Sequence, residues 1–226
     1  MRKIEYTRYC VAFLDILGFK NLVGTEDAST IHSIFSNIRH AKKLIRGISG
    51  EDTWWAQMGK KTKIYFFSDS IVIAIPMSEP MALELVASNC MLLQHTLWYY
   101  GLPTWVRGGI SIGDLYCGNS EIFGPALIDA YILEETVAKY PRIVMHESTY
   151  QAGIDNTDNR QDIIFVSRQP NELRMVETLK YFDYEPQRSK VLQSIRDTLQ
   201  KETNPSIQEK FQWVTEYHGI DLDLSE

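Results

Sequence analysis

Cysteine is scarce in this chain: Cys10, Cys90 and Cys117 are odd in number and far apart, so no disulfide framework is implied, and no Cys-x-x-Cys pair offers a thiolate zinc site. They read as core thiols. The five histidines (His32, His40, His95, His146 and His218) are scattered and lack the convergent spacing of a ligand set. Long apolar runs are missing too, since stretches such as Ile71 to Met77 are far too short to span a bilayer. The opening residues Met-Arg-Lys-Ile-Glu-Tyr contain no signal-peptide apolar region, so a cytoplasmic location without membrane insertion is the expectation. Positive charge is in deficit: 23 Lys and Arg against 29 Asp and Glu leave a net charge of -6. A DNA or RNA binder working through a broad basic surface is therefore not expected. A phosphate-bearing partner must be met by a few placed cations or by a metal. There is no internal repeat and no low-complexity stretch.

What is present suits a globular domain. At 226 residues, with 44% hydrophobic and 23% charged residues, the chain can bury a full core, and one domain of somewhat above typical size is expected. Residues 9 to 17 read as a buried strand. Ala28 to Ile45 repeats apolar residues at helical spacing behind Asp27 or Ser29 as cap. Lys63 to Phe67 and Ser70 to Pro76 read as a hairpin turning at Ser68-Asp69. Glu79 to Tyr99 reads as an amphipathic helix stopped at Gly101-Leu102-Pro103, Val106 to Ile112 and Leu115 to Cys117 as a hairpin around Gly113-Asp114, and Gly124 to Tyr140 as a third long helix. Beyond Tyr140, strands are expected at Arg142 to Met145 and Ile163 to Val166. Helices follow at Ser189 to Glu202 and Pro205 to His218, the second capped by Asn204. Trp54 and Trp55, in the polar loop from Gly47 to Lys61, read as packing anchors. The order of strand, helix, hairpin, helix, strand predicts an α+β fold with a ferredoxin-like βαββαβ sheet and a C-terminal helical extension. Residues 1–150 would form its core and residues 151–226 would extend the same domain.

Within that order, Val11 to Asn21 places Asp15 at the end of an apolar strand and follows it at once with a tight turn. Alone, such an Asp is ordinarily a turn or cap residue. A ferredoxin-like sheet makes the first strand and the following hairpin neighbours, which lets Asp15 and Asp69 converge. Two adjacent carboxylates with no matching Lys either raise one pKa or recruit a cation, and Mg2+ or Mn2+ with nucleotide phosphates suits such an oxygen-rich site.

These residues resemble the catalytic domain of class III nucleotidyl cyclases, the adenylate and guanylate cyclases. Phe13-Leu14-Asp15-Ile16-Leu17-Gly18-Phe19 resembles the first metal motif of that family, and Phe67-Ser68-Asp69-Ser70 its second, with Ser68 where Gly is usual. Arg107-Gly108-Gly109-Ile110-Ser111-Ile112-Gly113 resembles its Arg-x-Gly strand, and Gly124 to Glu134 stands where its Asn- and Arg-bearing helix lies. The resemblance spans about residues 9 to 145. It implies two divalent ions, Mn2+ or Mg2+, held by Asp15, Asp69 and the Ile16 carbonyl. It further implies triphosphate binding by Arg107 and by backbone N–H groups of the turn from Leu17 to Asn21, with Phe19 and Lys20 among the substrate-binding residues, and a homodimer with sites at the subunit interface, where Arg107, Lys20 or a residue of the other protomer would stand in for missing transition-state groups.

Departures from the family pattern refine the expectation. Tyr65 stands where purine cyclases carry a base-reading Lys or Glu, and Glu121 where adenylate cyclases usually carry Asp. A phenol leaves less room for a two-ring base, so UTP or CTP is expected, with Tyr65 and Glu121 reading its edge. The first motif, Ala130-Tyr131-Ile132-Leu133-Glu134 and the compact chain together resemble the pyrimidine cyclases of Pycsar antiphage defence. In that group cyclic UMP or cyclic CMP activates a separate effector. Ile128 and Ile132 occupy the family's transition-state Asn and Arg positions, which keeps two alternatives open: a non-catalytic nucleotide-binding module, or a purine cyclase. A diguanylate cyclase is disfavoured because Phe-Ser-Asp-Ser replaces Gly-Gly-Asp-Glu-Phe at the hairpin.

Overall fold

The computed structural model describes residues 4–46, 60–100, 104–156 and 162–221. Trp54, Trp55 and the helix stop at 101–103 lie outside the described residues. The strands are β1 (Thr7–Ile16), β2 (Lys63–Phe67), β3 (Ser70–Pro76), β4 (Val106–Cys117), β5 (Ile122–Phe123), β6 (Ile143–His146), β7 (Val166–Gln169) and β8 (Leu173–Val176). The helices are α1 (Phe19–Thr25), α2 (Ala28–Ile45), α3 (Ala82–Tyr100), α4 (Pro125–Thr136), α5 (Glu147–Asp155), α6 (Gln187–Lys201) and α7 (Pro205–His218).

Sheet order β2-β3-β1-β4-β6-β8-β7 contains the expected ferredoxin-like half, β2-β3-β1-β4, with β1 antiparallel to both neighbours. Strand β6 runs parallel to β4, and β8 and β7 continue the same sheet beyond it. On one face α2 and α3 bury Leu14, Ile16, Ile34, Ile38, Ile71, Ile73, Leu93 and their neighbours. Ile34 and Ile38 are each 1% exposed and one helical turn apart. Burial of each contributes roughly 2 kcal/mol, more than helix propensity supplies, so packing is what holds α2. Asp27 caps that helix by accepting from the Thr30 N–H at 2.8 Å.

The other face is covered by α4, which lies on Val11, Val72 and Leu115 through Ala126 and Ala130. Helix and strand approach closely because β4 offers glycine there: a Cβ on Gly109 would run into the Ala130 carbonyl oxygen and the Leu133 side chain. The tail helices α6 and α7 pack Val191, Ile195, Phe211 and Val214 around Trp98 and Trp105, at the end of α3 and just before β4. They also steady the loop after β1, since the Leu17 N–H donates to the Trp105 carbonyl at 2.8 Å and Leu17 packs against this cluster.

Several expectations are corrected. Gly113-Asp114 does not turn. Strand β4 runs unbroken past it because β1 is long enough to pair Tyr9 with Gly113 and Arg8 with Asp114, and the real turn comes later, where Tyr116 and Cys117 pair with Phe123 and Ile122. The expected strand at Ile163 to Val166 starts at Val166 and forms a hairpin with Leu173–Val176, turning through Asn171 and Glu172 at positive φ. Among the elements given above, helices α1 and α5 were missed: α1 has seven residues, and α5 shows only Tyr150, Gly153 and Ile154 inward. Helix α3 starts at Ala82, after Met81 at φ 59, and α4 stops at Thr136. Cys10 and Cys90 are buried, whereas Cys117 is partly exposed.

Candidate active site

Strand register builds the site. Antiparallel pairing sets Asp15 opposite Ser70 on β3 and opposite Arg107 on β4. The period of two puts Asp15 on the same face as Val11 and Phe13, the face that α4 covers. The two-residue turn Ser68-Asp69, with Ser68 in the left-handed region at φ 53, brings Asp69 beside the end of β1. There the Ile16 N–H donates to the Asp69 carbonyl at 3.1 Å. Asp15 and Asp69 do converge, close enough for the Asp69 carboxylate to help raise the Asp15 pKa.

Arg107 ties this pair to the helix layer. Its Nε–H donates to Asp15 Oδ2 at 3.3 Å, with Nη2 at 3.4 Å from the same oxygen. The same Nε lies 2.7 Å from Glu134 Oε1 on α4. That second contact is an ion pair without hydrogen-bond geometry, because the Nε–H is directed at Asp15 and Oε1 has no hydrogen-bond partner. Glu134, with a side chain 4% exposed, is thus a buried carboxylate beside one cation. Desolvation pushes its pKa up to about 7, against the pull of Arg107, with Asp15 adding repulsion. Burial likewise raises Asp15, Arg107 opposes, and the Asp69 charge raises it further.

Glu134 is the functional candidate that sequence reasoning missed. Its signal was available: an acidic residue at i+4 from Ala130 on the apolar side of a helix has no reason to be buried unless a cation meets it.

The remaining candidates fall into two groups. The Phe19 ring is 8% exposed and packs edge-on against Phe35 at 5.8 Å, so only its backbone is left to face a ligand. Lys20 is exposed on α1, and the Ile16 side chain is core. Tyr65 and Glu121 are neighbours: the Tyr65 O–H donates to the Gly118 carbonyl at 2.6 Å, and the Gly118 N–H donates to the Glu121 carbonyl at 2.8 Å. Burial first, then Cys117, Tyr9 and Glu121, raises the Tyr65 pKa. Tyr65 lines a cleft of about 630 Å3 whose described lining includes none of Asp15, Asp69, Arg107 or Glu121. Ile128 and Ile132 are exposed on α4 at 58% and 46%. Among the described residues no cluster of three His, Cys, Asp or Glu side chains could hold a metal ion, and no helix is long and apolar enough to cross a membrane.

No protein-family model matches the sequence, and no curated protein matches it significantly. Solved structures do match in fold. The monomeric guanylyl cyclase domain of the RhoGC fusion protein from the aquatic fungus Blastocladiella emersonii superposes with a TM-score of 0.57 at 16% identity, covering 76% of this chain and 95% of that one. The guanylate cyclase domain of RhGC from Catenaria anguillulae, in complex with GTP, gives 0.56 at 15% identity over 77% and 98% of the two chains. The adenylyl cyclase CyaB from P. aeruginosa gives 0.52 at 17% identity over 77% and 95%. The chain therefore has the fold of class III nucleotidyl cyclase catalytic domains.

Proposed function

We propose that this chain is a pyrimidine nucleotide cyclase, converting UTP or CTP to the 3′,5′-cyclic monophosphate and pyrophosphate. The observation that carries the reading is the convergence of Asp15, Asp69 and Arg107 at one end of β1 in a chain with a cyclase-domain fold. Two neighbouring carboxylates, one with a raised pKa, fit a divalent ion that completes its shell with substrate phosphates. Asp15, Asp69 and the Ile16 carbonyl would hold two such ions, Mg2+ or Mn2+. When bound, these supply charge that acidifies the ribose 3′-OH and neutralises the phosphates.

In the reaction the 3′-oxygen bonds to the α-phosphorus as the bond to pyrophosphate breaks, and its proton passes to solvent water. Asp15 and Asp69 position charge and attack nothing. Arg107 exchanges its Asp15 contact for a phosphate oxygen, while Glu134 keeps the guanidinium in place from behind. Lys20 and the free N–H groups at the start of α1, including that of Phe19, face the remaining phosphate oxygens.

Tyr65 supports the pyrimidine assignment by size. Its O–H is committed to Gly118, so Tyr65 presents lone pairs to a ligand, as the Glu121 carboxylate does. Uracil N3–H and the cytosine amino group both donate, which accommodates either base. UTP is favoured by the resemblance to antiphage pyrimidine cyclases, whose cyclic product acts on a separate effector. That Tyr65 lines a cleft without Asp15, Asp69 or Arg107 supports a homodimer whose sites are completed across the subunit interface, and Ile128, Tyr131 and Ile132 give α4 an exposed apolar surface for a second copy.

Those same isoleucines favour one other reading, a cyclase-like module that binds a nucleotide without turning it over. Incubation of the purified chain with each of the four nucleoside triphosphates and Mn2+, with mass detection of products, separates the two. Cyclic UMP or cyclic CMP is expected. A purine product overturns the base assignment, and no cyclic product from any of the four overturns catalysis.

A further inference from the structure

Strand β2 is the edge of the sheet, and the cleft of about 630 Å3 along it is within the range of small-ligand sites. Its walls carry three cations from two elements: Lys42 and Arg46 from the end of α2, and Lys63 from the first position of β2. Asn119 and Ser120 add polar groups from the turn between β4 and β5, and among the described residues no carboxylate lines it.

Each cation has a local justification. Basic residues at a helix C-terminus suit its dipole, and a Lys on an edge strand discourages pairing with another chain. Neither reason accounts for their convergence on one cleft in a chain of net charge -6. Lys42 and Arg46 are like charges at i, i+4, a spacing that is unfavourable without an anion between them. Among the described residues none of the three is in an ion pair, although Lys42 Nζ donates to the Ile64 carbonyl at 2.9 Å. Burial and then Arg46 depress the Lys42 pKa, as expected where like charges face each other without a counterion. In the same cleft the ring of Phe67 is 85% exposed, an unusual position for a side chain that gains by burial.

We propose that this cleft binds a nucleoside triphosphate without metal, its phosphates on Lys42, Arg46 and Lys63 and its base against the Phe67 ring. The cations supply the neutralising charge that an ion would otherwise provide, and base–aromatic stacking is tolerant of base identity. Tyr65 borders the same cleft, so occupancy bears on the surface assigned above to base reading; the binding itself does not rest on that assignment.

Calorimetry on the full chain in EDTA at low salt, with UTP, ATP, tripolyphosphate and uridine as probes, tests the proposal. UTP and ATP should bind alike, tripolyphosphate several-fold more weakly, and uridine not measurably, with affinity falling as salt rises. Arg46→Glu combined with Lys63→Glu should weaken UTP by about tenfold or more, and Phe67→Ala should reduce UTP to the level of tripolyphosphate. Lys63→Gln, with folding checked by circular dichroism, guards against a misfolded double variant and should itself weaken UTP. Asp69→Asn should leave this binding unchanged. Absence of UTP binding in EDTA, or undiminished binding to the folded Arg46/Lys63 variants, overturns the site, and tripolyphosphate binding as tight as UTP overturns the role of Phe67. A failed search for cyclic products would leave this result standing, and a failed titration in EDTA would leave the cyclase reading standing.

Discussion

Arg107 Nε lies 2.7 Å from Glu134 Oε1, yet the hydrogen it carries is directed at Asp15. One cation thus serves a candidate metal carboxylate through a hydrogen bond and a buried helix carboxylate through charge alone. The arrangement leaves Arg107 able to trade Asp15 for another oxygen without losing its anchor.

Asp69→Asn should remove cyclic product, by about 100-fold or more, with melting temperature little changed. Mass detection of product together with thermal denaturation checks both parts, and a variant with undiminished synthesis rejects the carboxylate pair as the metal site.

Glu134 makes stability pH-dependent in a defined direction. Its folded pKa of about 7 exceeds the ordinary 4.5, so the folded state binds the proton more tightly. The contribution is fully present below about pH 4.5 and is lost as pH rises through about 7, a change of at most about 3 kcal/mol. Melting temperature against pH should show this loss in the native chain, and Glu134→Gln should flatten the curve over that window. An unchanged profile would mean that Glu134 is ionised and fully compensated.

Gly109→Ala should destabilise the fold by about 1–3 kcal/mol, because the added methyl meets the Ala130 carbonyl and Leu133 on α4. Since α4 carries Glu134, retreat of the helix also draws that carboxylate away from Arg107. Denaturant unfolding reads the stability loss, and a variant as stable as the native chain would show that α4 yields to the added methyl at no cost.

Tyr65→Phe keeps the ring and deletes the hydrogen bond to Gly118, at a cost of about 1 kcal/mol of stability. Tyr65→Lys should change the base preference or abolish activity, measured as turnover of UTP, CTP, ATP and GTP in parallel. Unchanged UTP and CTP turnover in the Lys variant would show that Tyr65 does not read the base.

Much of this was readable in the chain. Strand, helix, hairpin, helix and strand came out in order because each has strong periodicity and clear turn chemistry, with Asp27 and Asn204 as caps. The convergence of Asp15 and Asp69 followed from topology. The break expected at Gly113-Asp114 was wrong because turn-forming residues do not turn when a long partner strand supplies hydrogen bonds on past them. Helix α5 was missed because only three of its nine residues face inward, and the pattern of a short amphipathic segment is weak.

Local sequence therefore determined the order of elements, the caps and the two carboxylates, all of which depend on neighbours within a few residues. Tertiary structure decided which partner Arg107 has. That choice depends on a cross-strand register between residues 15 and 107 and on the docking of α4 over Gly109, which together bring Glu134 to the same guanidinium. It also decided that Lys42, Arg46 and Lys63 share one cleft, a long-range arrangement that composition, with its net negative charge, had given no reason to expect.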